Sequence, residues 1–336
     1  MKKIIFYVFC IIIFSCYSCN NKDVNNKDKE INNIETVESI SLKIRENPKN
    51  SELFIKRAEL YLFDDKINDA INDLTIAIKL DSLREDIYIK LAEYQLIKGD
   101  SEKSKNALEK CLSLNPKNGE AKLKLAYIYF YVQMYQKALF ELEDIETYKL
   151  QTSESYFLKA LIFDETEMDK EAISTLQLAI EYDNENWKAY ERIGLICAGI
   201  NDKRAVDYFE TAIHLFPDNI EIRYNAAVVF QKFGHIDKAI ATYEFVIEKE
   251  PTAKEAYENL GFIYTNNIVN YDKAIELFSK AIEIDSLDIT ARYNRGFVYE
   301  KQKKYAFAEA DYRKCLKIVP NYELAVQGLN DVLDRK

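Results

Sequence analysis

Histidine is nearly absent from this 336-residue chain, which has only His214 and His235. Neither has a cysteine, a carboxylate or a second histidine at ligand spacing, so no metal site can be built on them. Glycine is scarce as well, with eight residues, and no glycine-rich phosphate loop can be assembled from them. No nucleophile motif is present. Of six cysteines, only Cys111, Cys197 and Cys315 lie beyond the first nineteen residues. An odd set, widely separated, fails a disulfide framework. There is no basic run, and the net charge is −10. Such a chain is repelled by nucleic acid and is not drawn broadly onto anionic lipid. These absences leave no catalytic residue, metal or cofactor to assign, and the chain is read as a non-enzyme. At 48% hydrophobic residues it is nonetheless a folded chain and not a disordered one.

A period is what the chain does have. Ala58, Ala92, Ala126, Ala160, Gly194, Ala227, Gly261 and Gly296 follow one another at steps of 34, 34, 34, 34, 33, 34 and 35 residues. A second ladder runs about twelve positions later: Ala70, Ser104, Ala138, Ala172, Ala205, Ala239, Ala274 and Ala308. A fixed period in this range predicts a solenoid of stacked units. Within Ser51–Arg84, Leu53, Phe54, Ala58, Tyr61 and Leu62 share one helical face, and Ala70, Ile71, Leu74, Ala77 and Ile78 share another. The stretch between them carries turn-type polar residues. Each unit is therefore helix A, turn, helix B, and the small residues let the two axes approach. Four of the five prolines, Pro116, Pro217, Pro251 and Pro320, fall where helix B stops. Cys111 and Cys315 take small-residue slots of helix B, and Cys197 takes the tyrosine slot of repeat 5, so all three are expected to be buried.

Counting places from the start of each unit, repeat 7 reads Tyr257 at place 4, Leu260-Gly261 at 7 and 8 and Tyr264 at 11, then Ala274, Phe278 and Ala281. Repeat 8 reads Gly296, Tyr299, Ala308, Tyr312, Cys315 and Pro320. This pattern resembles the tetratricopeptide repeat (TPR). The resemblance implies an all-α, right-handed solenoid of about eight helix-turn-helix repeats over residues 51–322. The expected boundaries are 51–84, 85–118, 119–152, 153–186, 187–219, 220–253, 254–288 and 289–322. Repeat 5 is one residue short and repeat 7 one residue long, both in the A–B turn, where length change is cheapest. Residues 34–50, with Ile34, Val37, Ile40 and Ile44 at helical spacing, are expected to form an N-terminal capping helix or half-repeat. Residues 323–336 are expected to form a C-terminal capping helix that packs back through Leu324, Leu329, Val332 and Leu333.

The first eighteen residues have two lysines, then an apolar run too short for a stable membrane span. Cysteines and a polar tract follow, and the whole resembles a bacterial lipoprotein signal peptide. The resemblance implies acylation of Cys19, or alternatively Cys16, and a flexible polar tether over 19–33. It further implies attachment to a bacterial membrane, the outer one favoured, with the solenoid in the periplasm or at the cell surface.

In TPR proteins the A helices line the concave groove, with places 2, 5, 6, 9, 12 and 13 facing it. At place 9, Leu161, Leu195, Val228, Phe262 and Phe297 give an apolar strip, which marks an interaction site unless neighbouring A helices bury it. Place 6 reads Lys56, Lys90, Lys124, Leu158, Arg192, Asn225, Asn259 and Asn294. The asparagine run is similar to the ladder in O-linked N-acetylglucosamine transferase repeats, which holds a peptide backbone. An amide offers both donors and an acceptor, as a peptide unit requires. The expected site is thus Asn225, Asn259 and Asn294 gripping an extended segment between Tyr224, Phe262, Tyr293 and Phe297. Lys56, Lys90, Lys124 and Arg192 are expected to favour acidic groups on the same ligand. The function expected is a lipid-anchored protein-protein interaction scaffold or adaptor of the cell envelope, with envelope proteins as partners. The alternative is a receptor for a glycan or peptidoglycan fragment, because groove aromatics also stack on sugars.

Overall fold

The structure, a computed structural model, describes residues 35–335. The expected signal segment, the tether, Cys16, Cys19 and Ile34 lie outside the described residues. Eighteen helices and no strands are found among the described residues. A single helix, α1 (Val37–Glu46), precedes eight hairpins. The A and B helices of repeats 1 to 4 are α2 (Ser51–Phe63) and α3 (Ile67–Leu80), α4 (Glu85–Ile97) and α5 (Ser101–Leu114), α6 (Gly119–Tyr131) and α7 (Tyr135–Thr147), α8 (Ser153–Glu165) and α9 (Asp169–Tyr182). Those of repeats 5 to 8 are α10 (Trp187–Gly199) and α11 (Arg204–Leu215), α12 (Ile220–Lys232) and α13 (Ile236–Lys249), α14 (Lys254–Asn266) and α15 (Tyr271–Ile284), α16 (Ile289–Lys301) and α17 (Tyr305–Ile318). A last helix, α18 (Glu323–Asp334), follows. The helices fall into two compact units, α1–α5 up to Asn118 and α6–α18 from Gly119.

Short polar side chains fix many helix starts. Asn50, Asp100, Asn186, Asn219, Asn270 and Asp288 each accept a first-turn backbone N–H, and Thr36 and Thr152 form capping boxes. Each A–B turn is built alike. One residue per turn enters the left-handed region: Asp65, Gly99, Gln133, Glu167, Asn201, Gly234, Val269 and Lys303. The residue after it donates its N–H to the carbonyl at place 11, as in Lys66 to Tyr61 at 2.7 Å and Lys304 to Tyr299 at 2.8 Å. This closes the helix A carbonyls that would otherwise be orphaned. Repeat 7 keeps the closure (Asn270 to Tyr264, 2.8 Å) and absorbs its extra residue inside the loop. That places the β-branched Val269 at φ 59°, a conformation such residues rarely adopt. Repeat 5 keeps its turn (Asp202 to Cys197, 2.7 Å) and loses its residue at the start of α11.

The ladders of small residues are the seam of each hairpin. Ala58, Ala126, Ala160 and Ala227 are fully buried, as are Ala70, Ala138, Ala172, Ala205, Ala239, Ala274 and Ala308. Size is matched across the seam in every repeat but the sixth, which has Ala227 and the buried Tyr243 at the two places. Alanine at place 8 faces the repeats that carry Leu74, Leu108, Leu142 and Leu176 on helix B, whereas Gly194, Gly261 and Gly296 lie against the rings of Phe209, Phe278 and Tyr312. A Cβ added at those glycines would stand 2.7, 2.9 and 2.9 Å from the ring atoms. Cys111, Cys197 and Cys315 are buried free thiols in this core. At the ends, α1 buries Ile40 and Ile44. Helix α18 packs through Ala325, Gly328 and Val332, while Leu324 and Leu333 stay 47% and 43% exposed. Of the four expected residues, Val332 is buried and Leu329 packs half-buried against the core, while the ring of Tyr312 takes the space beside Gly328.

Candidate functional site

Successive A helices touch each other within the second unit: α6 with α8, α10 with α12, α14 with α16, and α16 with α18. Places 2, 5 and 9 are three and four residues apart, so they form one stripe along each A helix. The rows they make run from repeat to repeat.

At place 9 the side chains are open. Leu195, Val228 and Phe262 are 36%, 39% and 48% exposed, and Leu161 and Phe297 are half-buried. Large apolar side chains at matched positions on neighbouring helices, left to solvent, form a docking strip. Place 5 is different. Ile55 and Ile89 of the first unit are buried, and Tyr224 and Tyr293 are half-buried in ring contacts. Tyr224 meets Tyr243 of α13 edge-on at 6.1 Å between centroids. Tyr293 lies between Tyr312, at 5.7 Å, and Tyr322, at 5.8 Å. Phe297 carries the Lys301 ammonium 4.8 Å above its ring. Of the four expected aromatic walls, Phe262 is thus the freest.

Place 6 reaches toward the preceding A helix. The Asn225 amide donates to Glu191 at 2.8 Å, and the Asn259 amide donates to the Tyr224 hydroxyl at 3.2 Å. These bonds tie α10 to α12 and α12 to α14. Asn294 is half-buried. The cations of the same row have carboxylate neighbours. Lys90 bonds Glu59 at 2.7 Å, Arg192 pairs with Asp164, Lys56 stands 3.8 Å from Glu35, and Lys124 stands 3.6 Å from Glu120. Burial works against the charged form of Lys90, and Glu59 more than offsets it, so its pKa is raised. Lys56 and Lys90 belong to the first unit, and the remaining candidates belong to the second.

The groove electrostatics centre on carboxylates. Glu258, at place 5 of repeat 7, has its pKa pushed up to about 7, by burial first and then by a hydrogen bond with Asp288. Asp288 caps α16, and its pKa is lowered. Burial opposes that shift, while Glu258, Lys254 and the α16 backbone N–H groups outweigh it. The pair shares a proton that Glu258 carries. A single cation, Lys254, serves Asp288 at 2.8 Å, Glu258 and Asp285 at 3.6 Å and Glu255 at 3.9 Å. The Glu191 pKa is also raised, chiefly by burial, with the Asn225 amide opposing. Sequence reasoning did not pick out these acids as a group. The signal for Glu255 is place 2, which holds Glu52, Asp86, Glu120, Glu154, Glu221 and Glu255. It was hidden because acids are common in the first turn of any helix, where the macrodipole favours them.

Among the described residues no three His, Cys, Asp or Glu are grouped to hold a metal ion, and no helix is long and apolar enough to cross a membrane.

Comparison with known proteins adds the lineage. Family models described as "Tetratricopeptide repeat" match residues 85–118, 153–186 and 289–322, and one described as "TPR repeat" matches 270–303. A TPR repeat-containing protein of Pseudomonas aeruginosa is 25% identical over 123 residues, 37% of this chain and 21% of that protein. A probable UDP-N-acetylglucosamine–peptide N-acetylglucosaminyltransferase SPINDLY of Hordeum vulgare is 27% identical over 118 residues, 33% of this chain and 12% of the enzyme. The BBSome complex member BBS4 of Bos taurus is 25% identical over 211 residues, 61% of this chain and 40% of that protein. The chain spans 12% to 21% of the length of the first three curated relatives. Among solved structures, the C-terminal part of a TPR repeat-containing protein from Cytophaga hutchinsonii superposes with a TM-score of 0.62 at 18% identity, covering 72% of this chain and 99% of that one. The Cut9–Hcn1 hetero-tetramer of the APC/C gives 0.50 at 19% identity, covering 88% and 58%. These two likenesses concern the fold.

Proposed function

The chain is a tetratricopeptide-repeat protein, and we propose that it works as a scaffold that holds a segment of a partner protein along the A helices of its second unit. The observation that carries this reading is the open strip of Leu195, Val228 and Phe262, repeated at one place on α10, α12 and α14. Exposed apolar side chains in register cost solvation unless something covers them. Asn225 and Asn259, three places before the strip residues on the same helices, each use an amide N–H on a neighbouring helix and keep an amide oxygen as an acceptor. Those oxygens serve as acceptors for backbone N–H groups of the segment.

The tether is a further part of the proposal. Acylation of Cys19, or of Cys16, would hold the repeats beside a bacterial membrane, since two or more acyl chains make a stable anchor. The partners would then be envelope proteins. The support is the order of charged, apolar, cysteine and polar segments in residues 1–33.

Crosslinking in cells followed by capture tests both parts. The expected result is a small set of envelope proteins, reduced by Phe262→Ala with Val228→Ala and lost with Cys16→Ala, Cys19→Ala. Capture that is unchanged when Asn225, Asn259 and Asn294 are all replaced by alanine removes the asparagines from the site. Glycan binding by the purified protein, with no protein captured, overturns the scaffold reading.

A further inference from the structure

The open strip lies beside a row of carboxylates. Glu221 and Val228 share the α12 stripe, Glu255, Glu258 and Phe262 share that of α14, and Glu191 and Leu195 share that of α10. Any segment lying on the strip therefore runs alongside these acids.

Their charge is poorly matched within the protein. Glu221 stands exposed in the first turn of α12. Glu191 has an amide partner, Asn225, while the neighbouring Arg192 turns to Asp164. Glu255 and Glu258 share Lys254 with Asp285 and Asp288, four carboxylates around one ammonium. Lys188, at place 2 of the α10 stripe, lies over the Trp187 ring at 5.6 Å and, with Arg192, acts on Glu191 alone among these acids, and burial outweighs both. The raised pKa values of Glu191 and Glu258 fit the same picture of half-buried acids with too little positive charge near them. Elsewhere on the A helices, Lys90 and Arg192 have carboxylate partners, and Lys232 of α12 gives its ammonium to the Ala198 carbonyl. The charge left unmatched beside the strip is negative.

We infer that repeats 5 to 7 take a cationic apolar segment, one in which leucine-like side chains cover Leu195, Val228 and Phe262 while lysine or arginine side chains meet Glu221, Glu255 and Glu258. This rests on the groove reading given above and specifies its partner. Complementary charge sets which segment is admitted and how fast it arrives, while the strip supplies the buried area.

Three synthetic peptides of about twelve residues test it on the full chain, alternating leucine with lysine, with glutamine or with glutamate. The leucine–lysine peptide is expected to bind about tenfold more tightly than the glutamine peptide, and the glutamate peptide most weakly. Glu221→Gln with Glu255→Gln is expected to erase most of that preference and leave the glutamine peptide unaffected, while Phe262→Ala weakens all three. Equal binding of the three peptides, each weakened by Phe262→Ala, overturns the cationic class and leaves the groove reading intact. A lysine preference that neither the glutamate pair nor Phe262 alters places the binding elsewhere and overturns the inference. If no peptide binds, the groove reading fails and the inference with it.

Discussion

Two residues show how narrow the tolerances are. Gly261 faces Phe278, and a Cβ at 261 would stand 2.9 Å from the ring. Gly261→Ala therefore overpacks the seam and is expected to cost about 1–3 kcal/mol, the usual range for a strained core. Repeats 1 to 4 pair alanine with leucine at the same two places. Adding Phe278→Leu should relieve the clash, so the double variant is expected to be at least ~1 kcal/mol more stable than the sum of the single effects. Denaturation midpoints of the four proteins measure that coupling, and strict additivity would mean the two sites do not share one space. Glu258 sets a pH dependence. Its folded pKa of about 7 lies above the usual 4.5, so the folded protein keeps a proton that the unfolded chain releases. The resulting stabilisation is full below the unfolded pKa and is lost as pH rises toward 7 and beyond. Asp288, held ionised, titrates below this window. Because solvent screens part of the effect, Glu258→Gln should reduce the loss of stability between pH 5 and pH 8 by only about 1 kcal/mol. Melting curves at the two pH values check it, and a fall in Tm equal to that of the parent protein removes Glu258 from the account.

At the scale of elements, two similar clamps bind neighbouring helices. Arg57 on α2 bonds Asp73 of α3 twice, at 2.6 and 2.8 Å, and Ser41 of α1 at 3.0 Å. Arg295 on α16 bonds Asp311 of α17 at 2.7 and 2.8 Å and Ser279 of α15 at 2.9 Å. Each arginine sits at place 7 and joins its own helix B to the helix that precedes its own. Asp73 is 1% exposed, so Asp73→Ala leaves the half-buried Arg57 guanidinium without its partner and is expected to cost about 3 kcal/mol. Repeat 7 fills the same two places with the buried Leu260 and Leu277. Arg57→Leu with Asp73→Leu is therefore expected to be near neutral or stabilising in a thermal melt, whereas Asp311 also serves the buried Arg292 at 3.8 Å. If both versions lose stability equally, the clamp acts through more than its charge pairing. These clamps were not legible in the sequence, because place 7 is a leucine place in the resemblance and a lone cation there reads as a solvated side chain. The hairpins were legible, since small residues at fixed spacing have one packing meaning. The apolar row at place 9 was legible too, whereas the partners of Asn225, Asn259 and Lys90 were not: they depend on which residue of the preceding helix comes alongside.

For the whole molecule the repeat construction governs how damage spreads. Within each unit a helix packs on the helices one or two positions away in the chain. Stability is then a sum of local terms and nearest-neighbour interfaces, unlike that of a single globular core. Gly296 provides a place to cut into this array, because its neighbour Tyr312 also packs against Gly328 of α18. Gly296→Val forces a β-branched side chain against that ring and should push α16, α17 and α18 apart together. Backbone amides of those three helices are expected to exchange with solvent about tenfold faster or more, equivalent to ~1.4 kcal/mol of lost local stability. Amides of α6 to α9 lie several repeats away in the same unit, so their exchange should be unchanged. Hydrogen exchange read helix by helix separates the two possibilities. A gradient that dies away within a repeat or two confirms local coupling, and uniform acceleration from α6 to α18 would mean that the second unit opens as one cooperative block.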